Sequence, residues 1–206
     1  MIKLYGNPLS TCTRKVLCTL HETNTPFEFN VIDFTKGEHK QPAHMARQPF
    51  GQVPAIDDDG FGLYESRAIC RYINQKVGGE LVPGTLRGCA LMEQWISVEA
   101  ANFTPPAMKL IYNYVFFPMQ GKAEDPQMIA DGNAGVERAL KVLDARLAES
   151  PYLAGETFSL ADICYLPYIE YMMGTPAKEL FSGHAPVNAW WTRCSERPSW
   201  RKAAGR

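Results

Sequence analysis

The stretch of this chain that most invites chemistry is residues 8–20, PLSTCTRKVLCTL, where Ser10, Thr11, Cys12 and Thr13 crowd the start of an apolar periodic segment. Two readings of these groups stand side by side. Ser and Thr oxygens accept from the backbone N–H groups that the first turn of a helix leaves without partners, so the run is a helix start signal. A hydroxyl there can also take part in chemistry, and a thiol there has its anion stabilised by the positive end of the helix dipole. Ser10, Thr11 and Thr13 all offer such a hydroxyl, and Arg14 adds positive potential. Cys12 is either a small apolar group packed on a sheet or a reactive thiol.

Three further groupings carry donors and acceptors. In RQPFGQVPAIDDDG, Pro54 ends a short apolar strand beside Gly51 and Gln52. Proline cannot donate to a ladder, so it marks an edge, a bend or a cis bond. A cis Pro54 would leave the N–H and C=O of Val53 free to pair with an extended peptide. In LYESRAICRYI, Glu65 and Ser66 sit where a strand enters a helix: either they cap it, or the helix N-terminus holds a ligand carboxylate while Glu65 accepts from a ligand ammonium. In TKGEHK, Lys36, His39 and Lys40 are either a solvated loop or cationic donors to a second carboxylate.

The elements that must position these groups fall into two kinds. MIKLYG reads as a strand, residues 12–23 as a helix, FEFNVIDF as a strand, GQVPAIDDDGFGLYES as two short strands joined through Asp58, Asp59 and Gly60, and residues 66–77 as a helix. That βαβ-ββα order with a mixed sheet predicts an α/β domain of thioredoxin-like kind over residues 1–78. KVGGELVPGT supplies Gly and Pro for a linker over 79–87, and from 88 to 206 only helical patterns appear, so the second domain is an all-α bundle. Its predicted inner faces are Leu91, Trp95 and Val98, then Val136, Leu140, Leu143 and Leu147. SLAD at 159–162 has capping-box spacing ahead of an apolar helix that Pro167 should bend without ending, and Pro186 opens a last helix with Val187, Trp190, Trp191 and Cys194 inward. YNYVFFPMQGKAEDPQ reads as a loop crowded with aromatic residues.

Composition narrows the partners. A net charge of -1 over 206 residues provides no cationic field for phosphate backbones or anionic lipid, so neither nucleic acid nor a membrane is expected. No apolar leader or long apolar window is present, and a cytoplasmic location is expected. The cysteines, Cys12, Cys18, Cys70, Cys89, Cys164 and Cys194, have irregular spacing without CxxC, and the histidines, His21, His39, His44 and His184, lie apart without HxxxH. Neither a disulfide framework nor a metal site is expected.

Taken together, STCTR, GEHK, PFGQVPAI and YESRAICRYI, followed by FSLADI and WWTRCSERPSW, resemble a glutathione transferase over essentially the whole chain, most closely the phi class. The resemblance implies a thioredoxin-like glutathione-binding domain, an all-helical domain, a homodimer, and glutathione as co-substrate with no metal. Carried over residue by residue, it assigns the thiolate-activating hydroxyl to Ser10 and the glycyl carboxylate of glutathione to His39 and Lys40, with Gln52 at the same end. Backbone pairing with the cysteinyl residue falls to Val53 before a cis Pro54, and the γ-glutamyl end to Glu65 and Ser66. A hydrophobic electrophile would lie between the domains beside the residue 9–12 loop, against Met108, Tyr112, Phe116, Phe117 and Tyr165. The expected activity is conjugation of the glutathione thiolate to hydrophobic electrophiles, with peroxidase activity toward organic hydroperoxides as a second chemistry. Two alternatives remain: a Cys12-dependent thiol transferase or reductase, and a non-catalytic carrier of apolar compounds.

Overall fold

A computed structural model describes residues 1–206. By its contacts the chain forms two compact units, one of residues 1–82 with 196–206 and one of residues 83–195. The first runs β1 (Ile2–Gly6), α1 (Thr11–Glu22), β2 (Phe27–Val31), a 3-10 turn (Glu38–Lys40), α2 (Pro42–Met45), β3 (Ala55–Asp58), β4 (Phe61–Tyr64) and α3 (Ser66–Lys76). These strands make a four-stranded sheet in the order β2-β1-β3-β4, with β1 parallel to β2 and antiparallel to β3. Alternation in β1 buries Ile2 and Leu4, and the β3–β4 hairpin turns through Asp59 and Gly60 at φ 53° and 93°, the left-handed geometry that two-residue hairpin turns require. Helices α1 and α3 pack on one another, and Val16, Cys18, Leu20, Ile69, Cys70 and Ile73 are all buried. The thioredoxin-like βαβ-ββα order expected from the sequence is the one observed.

The second unit is helical: α4 (Leu86–Val98), α5 (Thr104–Ile111), α6 (Phe117–Met119), α7 (Pro126–Glu149), α8 (Leu160–Met173) and α9 (Ala185–Ser195), with a 3-10 turn at Pro176–Phe181. Its first three helices are one helical run, joined by π-helical turns at Glu99–Phe103 and Tyr112–Phe116. The cause lies in the prolines. Pro105, Pro106 and Pro118 have no N–H to give, and each wide turn closes just before them, the N–H of Thr104 donating to the Glu99 carbonyl and that of Phe117 to the Tyr112 carbonyl. The expected loop at 112–127 is therefore helical as far as Met119, because prolines that follow a widened turn need not break a helix.

The inner face of α4 is Met92, Trp95 and Ile96; Leu91 and Val98 are only half-buried, so that face lies one residue away from the predicted one. Val136, Leu140, Leu143 and Leu147 are all buried in α7, as expected. A Cβ at Gly135 would stand 2.4 Å from Pro106 Cβ, which is how closely α7 and α5 approach. Helix α8 passes through Pro167 and is buried nearly all round. Its capping box is present: the Asp162 carboxylate accepts from the Ser159 N–H and Oγ, each at 2.9 Å, from the Leu153 N–H at 3.0 Å and from Trp190 Nε1 at 2.8 Å. Burial pushes this carboxyl group up, and those four donors pull the other way.

Pro186 sits in the first turn of α9, which buries Val187, Trp190 and Cys194 and leaves Trp191 half-exposed. It is not the last helix. A further one, α10 (Pro198–Ala204), packs on α1 in the first unit, with Trp200 fully buried and with Arg197 and Ser199 bonded to the Glu22 carboxylate. The division at 88–206 thus differs from the observed one at its end, because the pattern RPSW carries no mark of which unit it covers. No helix is long and apolar enough to cross a membrane.

Candidate active site

Register alone gathers the singled-out segments at one end of the sheet. Gly6 pairs with Val31 at the end of β1 and β2, Tyr5 pairs with Ala55 at the start of β3, and Ala55 pairs with Tyr64 at the end of β4. Residues 7–10, 32–40, 53–54 and 65–66 therefore all leave or enter the sheet on the same side. Ligand sites of open α/β sheets lie beyond such strand ends, where loops are released from pairing.

The loop carrying Ser10 is held from beneath. Asn7 Nδ2 donates to the Ile32 carbonyl at 2.9 Å, Asn7 Oδ1 accepts from the Leu9 N–H at 2.9 Å, and the Asn7 N–H donates to Thr13 Oγ1 at 3.2 Å. Arg14 Nε donates to the Pro8 carbonyl at 2.8 Å. Thr13 is thereby a structural group, and Arg14 braces the loop besides bringing charge. Ser10 is the N-cap of α1, its Oγ accepting from the Thr13 N–H at 3.2 Å. That bond uses a lone pair only. The Ser10 hydroxyl proton has no acceptor in the chain, so Ser10 caps the helix and keeps a donor to give.

The Val53–Pro54 peptide bond is cis, and no hydrogen bond within the chain engages the N–H or C=O of Val53. Both are ready to pair with an extended peptide. Gln52, in contrast, has both backbone groups held by side chains.

Glu65 precedes α3 at φ 72°, a conformation that costs a non-glycine residue about 1–3 kcal/mol and that clusters at functional sites. No side chain caps the α3 N-terminus, and Ser66, its first residue, is buried, so this helix end offers backbone donors and partial positive charge. His39 and Lys40 form the 3-10 turn. Burial, with help from Lys40 and His44, moves the His39 imidazole below its ordinary range, which favours the uncharged ring at neutral pH. Lys40 Nζ donates to the Phe50 carbonyl at 3.0 Å. Lys36 is exposed and pairs with Asp33 at 3.4 Å, which leaves it a surface role.

Cys12 is half-buried, whereas Cys18 and Cys70 are enclosed and their thiols pushed up by burial, that of Cys70 to about 11. The chain has no group of three His, Cys, Asp or Glu side chains placed to hold a metal ion. In the helical unit, Tyr112 packs edge-on to Phe116 with centroids 5.5 Å apart and lies 6.0 Å from Phe117, and Phe116 meets Tyr171 at 5.6 Å. Tyr112 is exposed, and Met108, Phe116 and Phe117 are half-buried, so these four form an apolar surface. Tyr165 does not belong with them. It is fully buried, its hydroxyl donates to the Trp95 carbonyl at 3.1 Å, and its ring packs on Phe103 and Trp190, as a core residue of an all-round buried helix does.

Residues 1–75 match the family model for the glutathione S-transferase N-terminal domain, and residues 107–198 match the model for its C-terminal domain. The chain belongs to the glutathione S-transferase family. It is 42% identical over 207 residues to a glutathione S-transferase of Silene vulgaris, covering 98% of this chain and 95% of that protein. Glutathione S-transferase F6 of Arabidopsis thaliana is 39% identical, with 98% of each chain covered. Among solved structures, glutathione transferase F7 of Populus trichocarpa superposes with a TM-score of 0.96 at 39% identity, covering 100% of this chain and 98% of that one. Glutathione S-transferase I from maize, solved with an atrazine glutathione conjugate, superposes at 0.93 with 36% identity, covering 99% and 96%. The F designations of the Arabidopsis and Populus proteins agree with the phi-class resemblance.

Sequence reasoning passed over Asn7, His44 and Gln48. Asn before Pro in a strand-to-helix turn was a readable signal for the first; the i, i+4 spacing of His44 and Gln48 gave no hint that both reach back to the cis-proline loop.

Proposed function

We propose that this transferase conjugates the thiolate of glutathione to hydrophobic electrophiles, and that Ser10 stabilises the thiolate by donating its hydroxyl proton to the sulfur. The observation that carries this is the unengaged Ser10 proton at the same sheet end as the unpaired Val53 groups and the uncapped α3 N-terminus. Glutathione is a short extended peptide with a zwitterionic end and a free carboxylate. The Val53 groups suit its cysteinyl backbone, Glu65 and Ser66 its γ-glutamyl end, and His39, Lys40 and Gln52 its glycyl carboxylate. An unperturbed thiol, with pKa about 8.5, is mostly protonated at pH 7, and each unit by which the site lowers it is worth about 1.4 kcal/mol. The charge-assisted bond from Ser10 and the dipole of α1 both act in that direction.

Met108, Tyr112, Phe116 and Phe117 supply the apolar wall for the electrophile, and the same thiolate would reduce organic hydroperoxides. We assign the enzyme to the cytosol, whose reducing poise suits six free cysteines, and to a homodimer as its working form. Conjugation to a chlorodinitrobenzene acceptor, followed against pH for the parent, Ser10→Ala and Cys12→Ser, tests the reading. Collapse in Ser10→Ala, with a pH dependence moved toward that of free thiol and Cys12→Ser near parental, supports it. Loss that follows Cys12 makes this a thiol-disulfide enzyme; tight ligand binding with no turnover makes it a carrier.

A further inference from the structure

The loop that delivers Val53 to the site is not held by its own backbone ladder. Between Gln48 and cis Pro54 the chain makes one local backbone bond, Gly51 N–H to the Gln48 carbonyl at 2.9 Å. The rest is done by side chains. Gln48 Oε1 accepts from two amides, Phe50 N–H at 2.7 Å and Gln52 N–H at 3.2 Å. His44 Nε2 lies 2.6 Å from the Gln52 carbonyl. A carbonyl can only accept, so Nε2 carries the proton and the imidazole donates. His44 and Gln48 are each 2% exposed, one helical turn apart, and together they bond both backbone groups of Gln52.

That choice of partner has a geometric effect. A residue before proline is confined to extended conformations, and in extended backbone the polar groups of successive residues face opposite ways. Turning the N–H and C=O of Gln52 in toward His44 and Gln48 therefore turns those of Val53 out, and these are the two groups the chain leaves unpaired. Lys40 Nζ fixes the carbonyl of Phe50, two residues before Gln52, at 3.0 Å, so the loop is held from residue 50 onward.

We propose that His44 and Gln48 are positioning residues for glutathione: by clamping the backbone of Gln52 they preset Val53 to pair with the cysteinyl backbone of the bound peptide. This rests on the glutathione reading given above. Neither side chain touches the reacting atoms; both act through the loop. A preset loop lowers the ordering cost of binding, so its loss falls on affinity for glutathione and leaves affinity for the electrophile in place.

The test compares His44→Leu, which removes the donor, with His44→Gln, whose amide offers an N–H at similar reach, and Gln48→Leu with Gln48→Glu, whose carboxylate still accepts from both amides. The readouts are steady-state constants for glutathione and for a chlorodinitrobenzene acceptor, calorimetric binding of S-methylglutathione, and urea unfolding. We expect the KM for glutathione and the Kd for S-methylglutathione to rise about tenfold in His44→Leu and Gln48→Leu, corresponding to the loss of one hydrogen bond. The KM for the acceptor should stay within about twofold, and the Gln and Glu variants within about threefold of the parent. Equal weakening toward both substrates, or conservative variants as impaired as the Leu ones, would overturn the clamp, as would S-methylglutathione affinity unchanged in folded His44→Leu. If the leucine variants do not fold, the conservative pair still decides, because a clamp requires both to retain glutathione affinity. A parent protein that binds no S-methylglutathione sinks the glutathione reading itself, which is a different result from a parent that binds and a variant that binds equally well.

Discussion

Gly6 and Thr13 set how closely the first strand meets the first helix, and their coupling can be measured. A Cβ on Gly6 would lie 2.6 Å from Thr13 Cγ2 and 2.8 Å from Thr13 Oγ1, distances no real pair sustains. Thr13 is fully buried, and its Oγ1 is the acceptor for the Asn7 N–H, so it cannot rotate away without orphaning that amide. Gly6→Ala should therefore cost about 1–3 kcal/mol of overpacking, with more if the Asn7 bond is lost. Thr13→Ala leaves the same amide without its acceptor and should cost about 1–3 kcal/mol by itself. In the double variant the two nearest atoms are gone and the closest remaining one, the residue 13 Cβ at 3.3 Å, needs only a small shift. The double variant should then be about 1–2 kcal/mol more stable than the sum of the singles predicts, by urea unfolding of all four proteins. Because the Asn7 bond braces the loop that ends in Ser10, conjugation should fall in both singles and stay low in the double, which still lacks the Thr13 acceptor. Additivity within about 0.5 kcal/mol would refute the contact as the reason that glycine stands at position 6.

Other consequences follow from particular groups. Asp162→Ala would strand the Leu153 and Ser159 amides and Trp190 Nε1 in a dry core and should cost more than about 3 kcal/mol, seen as failure to fold or a large loss in urea midpoint. The Lys76 ammonium and the Tyr72 hydroxyl hold the Asp58 carboxyl below its usual range. Its contribution to stability is thus complete above an unfolded pKa of about 3.9 and lost as pH falls through the lower folded value, so Asp58→Asn should weaken the protein at pH 7 and flatten its acid unfolding limb. Brief alkylation of the folded enzyme at neutral pH, read by mass spectrometry, should label Cys12 and Cys89, the half-buried thiols, and spare buried Cys18, Cys70, Cys164 and Cys194; early labelling of Cys70 would contradict its enclosure.

What the sequence made legible follows from how local each cause is. The βαβ-ββα order, the Asp59–Gly60 turn and the Ser159–Asp162 box are written in periodicity and in residues a few positions apart, and all are observed. Ser10 could be read both as cap and as donor, and the structure makes the two compatible, since the cap bond takes a lone pair and leaves the proton. The misreadings came from causes that are not local. Whether Pro118 ends a helix depends on the wide turn before it, the inner face of α4 on which neighbour it meets, and the burial of Tyr165 on the packing of Phe103 and Trp190. His44 and Gln48 were invisible as site residues because their partner is the backbone of a loop, which imprints no residue type on them.

Ultraviolet difference titration of the glutathione thiolate in the binary complex, for the parent and Ser10→Gly, probes the thiolate chemistry most directly. Glycine costs an N-cap only a few tenths of a kcal/mol, so this substitution removes the donor and spares the helix. The thiolate should form in the parent complex well below the pH at which free glutathione ionises, and Ser10→Gly should return it by about 1–2 units, the worth of one charge-assisted hydrogen bond. Parent and Ser10→Gly complexes that titrate together would contradict Ser10 as the group that holds the thiolate.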